Sequence, residues 1–410
     1  MTPEFYTIAQ VADILSMSKE TLRRWDTNGT LIPQRCEKNN YRVYHRSQLE
    51  GFEQAQLLFN SNWDEEAEIK PNKPYNLVEL FAGAGGLAIG MEKAGFNSIL
   101  LNEIDKNACK TLRKNRPNWN VIEGDISEVN FKPYKDEVDI LSGGFPCQAF
   151  SYAGKKLGFE DTRGTLFYEF GRALKECSPK VFIAENVKGL VSHENGKTLE
   201  IIKSVLSELG YTILEPRILK AVFYRVPQKR ERLIIVGIRN DLANKAKFYW
   251  PSPYKRIMVM QDALKKGDLY DSDVPKSEGQ KYPIRKAEIL GLVPQGGYWR
   301  DLPDDLQREY MKKSYFLGGG KTGMARRLSW EEPSLTLTCS PAQKQTERCH
   351  PEETRPLTVR EYARVQTFPD NWQFEGALTS QYKQIGNAVP VNLAEAIGRS
   401  LIKLLNDLNL

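Results

Sequence analysis

Apolar residues at Ile8, Val11, Ala12, Leu15, Leu22 and Trp25 recur at the spacing of a helix face. The break Ser16-Met17-Ser18 divides them into two short helices, with Ser18 as N-cap of the second. The following Asn39-Asn40-Tyr41-Arg42-Val43-Tyr44 reads as the turn and strand of a basic wing, so residues 1–59 are expected to form a winged helix-turn-helix. Residues 60–74 lose periodicity, gather Asp64-Glu65-Glu66 and are punctuated by Pro71 and Pro74, the composition of a linker. From Tyr75 to Pro251 the period changes. Short apolar runs at Leu77–Phe81, Ile99–Leu101, Val138–Leu141, Val181–Ala184 and Leu233–Ile238 alternate with helical stretches, which predicts a doubly wound α/β sheet with helices on both faces. Over 252–354 the periodicity fades while Lys, Arg, Tyr, Gly and Pro accumulate, as in Gly296-Gly297-Tyr298-Trp299-Arg300 and Gly318-Gly319-Gly320-Lys321. Pattern returns over 355–410, which ends in an amphipathic helix from about Val391 to Leu405.

Composition narrows the class. Hydrophobic residues make up 40% and charged residues 27% of the 410, which argues for folded globular domains and against a disordered or coiled-coil chain. No apolar run approaches the roughly 18 residues of a spanning helix, and the N-terminus lacks the pattern of a signal peptide. A soluble, cytoplasmic protein without membrane association is expected. The six cysteines are scattered with no C-x-x-C pair, so neither a disulfide framework nor a metal site is expected. A net charge of +6 permits a polyanionic partner without establishing one.

Four constellations carry candidate chemistry, each at the end of an expected strand. Leu80-Phe81-Ala82-Gly83-Ala84-Gly85-Gly86 precedes a helix over Leu87–Ala94, and glycines there let backbone approach a ligand at the carboxyl end of the first strand. A dinucleotide site competes for this loop. Glu103, about 20 residues on, suits a ribose diol, and Asp125 in Glu123-Gly124-Asp125-Ile126 suits an adenine amino group, so adenosine is expected without a second nucleotide. Gly143-Gly144-Phe145-Pro146-Cys147-Gln148 places a cysteine just past another strand. A lone cysteine is more often a small core residue, but the flanking Pro146 and Gln148 argue for an exposed loop and a nucleophilic thiolate. In Ala184-Glu185-Asn186-Val187 an enclosed carboxyl could hold a proton for a substrate ring, the alternative being a helix cap. In Gln228-Lys229-Arg230-Glu231-Arg232 two arginines two apart on a strand share a face and could clamp a phosphate or base carbonyl, the alternative being a solvated charge run.

Taken in this order the motifs resemble the DNA cytosine-5 methyltransferase family, and Gly164-Thr165-Leu166-Phe167, Arg355 to Glu361, Gln366-Thr367-Phe368-Pro369 and Gly386-Asn387-Ala388-Val389-Pro390 extend the match across 75–410. The first segment resembles the MerR and excisionase type of winged helix. The resemblance implies a Rossmann-like catalytic domain from 75–251 plus 355–410, with a target-recognition domain over 252–354. It implies S-adenosyl-L-methionine, leaving as S-adenosyl-L-homocysteine, near Phe81, Ala82, Gly83, Gly85, Gly86, Glu103, Ile104, Asp125, Ile126, Pro146, Leu166, Asn387 and Val389. Cys147 would be the nucleophile, Glu185 would act at the cytosine ring, and Arg230 and Arg232 would be the paired arginines. Val391, often proline in the family, and Ile104, aromatic in some members, depart from the pattern without touching the chemistry.

The substrate so implied is double-stranded DNA. Cys147 would add to C6 of a cytosine flipped from the duplex, and a polar lid over 151–163 would close on it. DNA contacts are expected from Gln148, Ser151, Arg163 and Gln228 around the pocket, from Arg326 and Arg327 in the recognition region, and from Lys19, Arg23 and Arg24 of the N-terminal helix. The enzyme is expected to act as a monomer, nucleoid-associated in a bacterium or phage-infected cell, with a restriction endonuclease of the same specificity as companion. The competing functions are a catalytically silent DNA-binding regulator, a tRNA cytosine-5 methyltransferase and, last, a NAD dehydrogenase.

Overall fold

A computed structural model of the chain describes residues 4–36, 40–145 and 165–408. Its central sheet has eight strands among the described residues: β4 (Tyr75–Leu80), β5 (Phe96–Glu103), β6 (Val121–Glu123), β7 (Ile140–Gly143), β8 (Val181–Val187), β9 (Tyr211–Ile213), β10 (Arg217–Lys220) and β12 (Glu231–Arg239). The order is β10-β12-β8-β7-β4-β5-β6, with β9 beside β12. Strands β6, β5, β4, β7 and β8 run parallel, and β12 adds antiparallel to β8. All five anticipated apolar runs fall on strands of this Rossmann-like sheet.

Both faces of the sheet are covered, which is why its middle strands carry near-continuous apolar sequence. On one face α5 (Gly86–Ala94) and the long α14 (Val391–Leu408) bury Met91, Leu393, Ile397 and Leu401 against Leu77, Ile140 and Val236. The two helices touch closely because small residues meet: a Cβ on Gly90 would lie 2.4 Å from that of Ala394, and one on Gly398 2.6 Å from that of Ala94. On the other face α7 (Leu166–Cys177) and α8 (Lys197–Glu208) bury Phe170, Leu174, Ile202 and Val205 against Val78, Leu141 and Phe182. The strand following α5 lies on one side of β4 and β7 on the other, so the sheet's switch point opens at the carboxyl ends of β4 and β7.

A third core roofs that point. Here α6 (Lys106–Asn115), α12 (Val359–Val365) and α13 (Leu378–Asn387) pack Leu112, Tyr362, Phe368, Trp372 and Ile385 against Ala82, Ala84 and Ala88 of the glycine loop and α5. Residues 252–354 hold α9 (Met260–Leu264), α10 (Ile284–Gly291) and α11 (Asp304–Met311) and a small core around Ile289, Trp299, Tyr310 and Met324. They are stitched back to the sheet where β13 (Ser334–Leu335) pairs in parallel with β11 (Gln228–Lys229).

At the N-terminus β1 (Phe5–Thr7), β2 (Gln34–Arg35) and β3 (Arg42–His45) form the order β1-β3-β2 beside α1 (Ile8–Ile14) and α2 (Lys19–Thr27). Ser18 caps α2 as expected, its side chain accepting from Thr21 N–H. The module's core, with α3 (Glu53–Phe59), is completed by Val222 and Ile257 from the rest of the chain. The stretch 60–74 does more than tether. Helix α4 (Trp63–Ala67) buries Trp63 in the main core against Tyr254, and Glu66 accepts from Ser252 N–H, so an acidic, proline-punctuated sequence is held against the sheet domain.

Candidate active site

The switch point is a cleft of about 1320 Å³. Its floor is the loop from β4 into α5. Phe81 leaves β4 in the left-handed region at φ 58°, strained for a non-glycine residue, and Gly83 follows at φ 55° with nothing within 4 Å of where its Cβ would lie. Gly86 is fixed from the other side, since a Cβ there would sit 2.3 Å from Val389 O. Glu103, at the end of β5, receives Gly83 N–H at 2.7 Å on one oxygen and Ile104 and Asp105 N–H at 2.9 and 2.7 Å on the other. Three of about four acceptor positions are used. Ile104 lies open at the rim, and Lys383 pairs with Asp105 beside it.

The opposite wall carries the charged pair. Strands β8 and β12 run antiparallel with Arg232 opposite Val187, which brings Arg232 Nε to 2.5 Å from Glu185 Oε1. Both side chains are mostly buried. Gly144, at the end of β7, lies where any side chain would strike Glu185, its Cβ position being 2.8 Å from Oε2. Asn186 donates to Phe145 O at 2.8 Å and so anchors the chain just before Pro146 and Cys147. A carboxyl and a guanidinium thus converge near Phe145, in a cleft whose other end offers glycine backbone and Glu103. Such a site can bind an adenosine-bearing donor at one end and polarise a polar ring at the other.

Residues 75–403 match the C-5 cytosine-specific DNA methylase family. The chain belongs to this family. Residues 6–62 match the MerR HTH family of regulatory proteins. Type II methyltransferase M.Eco47II of Escherichia coli is 69% identical over 409 residues, covering 100% of this chain and 98% of that protein. Type II methyltransferase M.PspPI of a Psychrobacter strain is 63% identical, with 98% of this chain and 96% of the relative covered. A crystal structure of a putative DNA modification methyltransferase encoded within an E. coli prophage superposes with a TM-score of 0.57 at 26% identity, covering 81% of this chain and 99% of that one.

Several residues of the methylase stand elsewhere than expected. Arg230 lines the cleft with Arg232 but does not share its ion pair: it is 1% exposed and donates to Leu337 O at 3.1 Å and Gly386 O at 2.9 Å, tying residue 337 to the 386–389 segment. It falls between β11 and β12, not within one strand. Gln228, expected at DNA, is fully buried, donating to Gln366 and accepting from Leu337 N–H. Arg327 is buried too, its guanidinium spent on Val293 O, Leu290 O, His350 O and Thr354 Oγ1. Arg326 is mostly covered and faces Glu332 at 4.0 Å, while Lys19 is bound to the same Glu332 at 2.6 Å. Arg23 and Arg24 are exposed on α2. Gly85 turns toward Leu112 and Trp372, where a Cβ would lie 2.8 and 3.2 Å away. Asp125 is exposed, Ile126 is core and Leu166 opens α7; none of the three lines the cleft. Phe81, Ala82, Gly83, Gly86, Glu103, Ile104, Asn387 and Val389 do line it. Pro146, Cys147, Gln148, Ser151 and Arg163, with the expected lid over 151–163, lie outside the described residues.

The methylase family uses S-adenosyl-L-methionine, and the donor set fits it. Glu79, which the sequence reading passed over, is buried in β4 and lines the cleft with Oε2 unpartnered. Burial, with Glu103 nearby, pushes its carboxyl up to about 8. A buried carboxyl oxygen left without a partner beside an open glycine loop is a place where an ammonium group supplies it. The signal was a lone carboxylate inside the apolar run Leu77-Val78-Glu79-Leu80.

Proposed function

We propose that this DNA (cytosine-5)-methyltransferase transfers a methyl group to C5 of one cytosine in a short, specific duplex site, as the protective member of a restriction-modification pair in the bacterial or phage-infected cytoplasm. The observation that carries the chemistry is the Glu185–Arg232 pair at 2.5 Å, with neighbouring Asn186 bonded to Phe145, two residues before Cys147. S-Adenosyl-L-methionine supplies an electrophilic methyl group on its sulfonium and leaves as S-adenosyl-L-homocysteine. Glu103 would hold its ribose, Glu79 its ammonium end and Ile104 one face of its adenine; no metal takes part.

Cytosine C5 is a weak nucleophile, and the protein's own groups raise its reactivity. The Cys147 thiolate adds to C6, and the displaced electron pair gives C5 enamine character. Glu185 faces N3 and Arg232 faces O2, so the charge that accumulates on the ring is offset as it forms. After methylation a base removes the C5 proton, and elimination of the Cys147 thiolate restores the aromatic ring. The target base has to leave the stack for Cys147 to reach C6, at a cost of a few kcal/mol.

The test is transfer of labelled methyl to unmethylated duplex DNA and to tRNA, with wild type and Cys147→Ala, followed by bisulfite sequencing. Label on DNA that disappears in the variant supports the reading and maps the site. Label on tRNA alone overturns it in favour of RNA, and silence on both leaves a DNA-binding regulator.

A further inference from the structure

The burial of Gln228 and Arg327 leaves the question of what the recognition region presents to a duplex. Besides Ile284 and Leu292, an exposed apolar feature there is a knuckle after α11. Phe316 and Leu317 are 77% and 64% exposed side by side. An aromatic ladder climbs from buried Trp299 through Tyr315, centroids 6.0 Å apart, to Phe316 at 5.3 Å. Tyr315 donates to Asp304 at 2.8 Å, and the Lys321 ammonium binds Ser314 O and Leu317 O from behind. Two apolar side chains on so braced a support are a built projection.

Its surroundings choose the partner. Two of the three carboxylates of α11 are matched by arginines, Asp304 by Arg308 and Glu309 by Arg285. Lys312, Lys313 and Lys344 have no carboxylate at ion-pair distance among the described residues, and Lys344 is held below the usual lysine range by burial and by the charges of Lys312 and Lys286. Such a crowd of cations is complementary to phosphate. Position agrees. Thr338 lines the cleft and its hydroxyl lies 3.1 Å from that of Thr346. Lys344, two residues and so at most about 7 Å along the chain from Thr346, donates to Met311 O at 3.3 Å, next to Lys312. One strap therefore links cleft wall to knuckle. A two-residue tip is far smaller than the roughly 800 Å² per partner of a stable protein interface.

We propose that Phe316 and Leu317 form an apolar wedge that enters a base step of the duplex beside the target site, with Lys312, Lys313 and Lys344 on the flanking phosphates. This rests on the duplex-DNA reading above. Apolar wedges at unstacked steps are a general way to kink a duplex and gain contact area.

The experiment uses the full chain and a duplex bearing the site found by bisulfite sequencing, with 2-aminopurine placed in turn at each flanking position. Wild type is expected to raise the fluorescence at one flanking step distinct from the target base. F316A/L317A should abolish that signal and weaken duplex binding at least about tenfold, with kcat at saturating DNA within about twofold, while Phe316→Trp restores both. K312A/K313A should keep the signal and lower the salt slope of binding by about one to two. Equal binding and an unchanged flanking signal in F316A/L317A would overturn the wedge. So would concentration-dependent self-association of wild type that the double variant loses, which would make the knuckle a contact between copies. If wild type binds no duplex at all, the functional reading itself falls, and the wedge with it.

Discussion

Arg232 and Arg230 stand two positions apart and do different work, and the difference is one of partners. Both line the cleft, but Arg232 pairs with Glu185, whereas Arg230 donates to the carbonyl oxygens of Leu337 and Gly386. Arg232→Ala should lower kcat about 100- to 1000-fold while KM for DNA stays near wild type, a split that steady-state kinetics on the folded variant would read. Glu79 is the second telling residue. Its carboxyl titrates near 8 in the native protein against 4.5 when free, so between those values the folded state holds one proton more than the unfolded state. The stability this contributes is complete below about 4.5 and is lost as pH rises toward 8, on the order of a few kcal/mol. Glu79→Gln cannot ionise and should flatten that decline, which denaturant midpoints at pH 5 and pH 8.5 would show. A motif pattern reveals residue types that face a ligand. It does not reveal which polar residue, such as Gln228 or Arg327, is satisfied inside the protein by partners 30 to 140 positions away.

At the scale of elements, the strands were the legible part. Apolar runs and the chemistry at their ends both follow from a sheet covered on two faces with its ligand at the carboxyl edge. The helices that roof the cleft were less so, because α12 and α13 share a core with Ala82 and Ala84 of the glycine loop, about 280 residues earlier in the chain. The α5–α14 contact makes the point testable. Gly90→Ala would press a methyl group into Ala394 and the Val391 carbonyl, 2.4 and 2.5 Å away, and should cost about 1–3 kcal/mol. Gly189→Ala, with nothing within 4 Å, should stay within about 0.5 kcal/mol of wild type. Thermal unfolding of the two variants side by side would separate packing from any general effect of losing a glycine.

Across the whole molecule, the N-terminal module behaves as part of one body. Asp13, at the end of α1, pairs with Lys229 at 2.9 Å and presents its carbonyl to Lys220, and Val222 and Ile257 complete the module's core. Removing residues 1–59 would expose those apolar side chains and strand two lysines, so the truncated chain should be several kcal/mol less stable. Calorimetry of the intact chain should show one transition in place of two. Sequence composition could mark residues 60–74 as polar but not that Trp63 anchors them, since the partner, Tyr254, is nearly 200 residues away.

The short parallel pairing of β13 with β11 carries a last consequence. It ends at Lys229, one residue before Arg230 and three before Arg232. A displacement of residues 252–354 would reach the Arg232–Glu185 pair through this short connection. Fidelity in such an enzyme is then a matter of turnover as well as of affinity: near-cognate duplexes would be held and yet modified slowly even at saturation, and the host's marked sites would be sorted by rate.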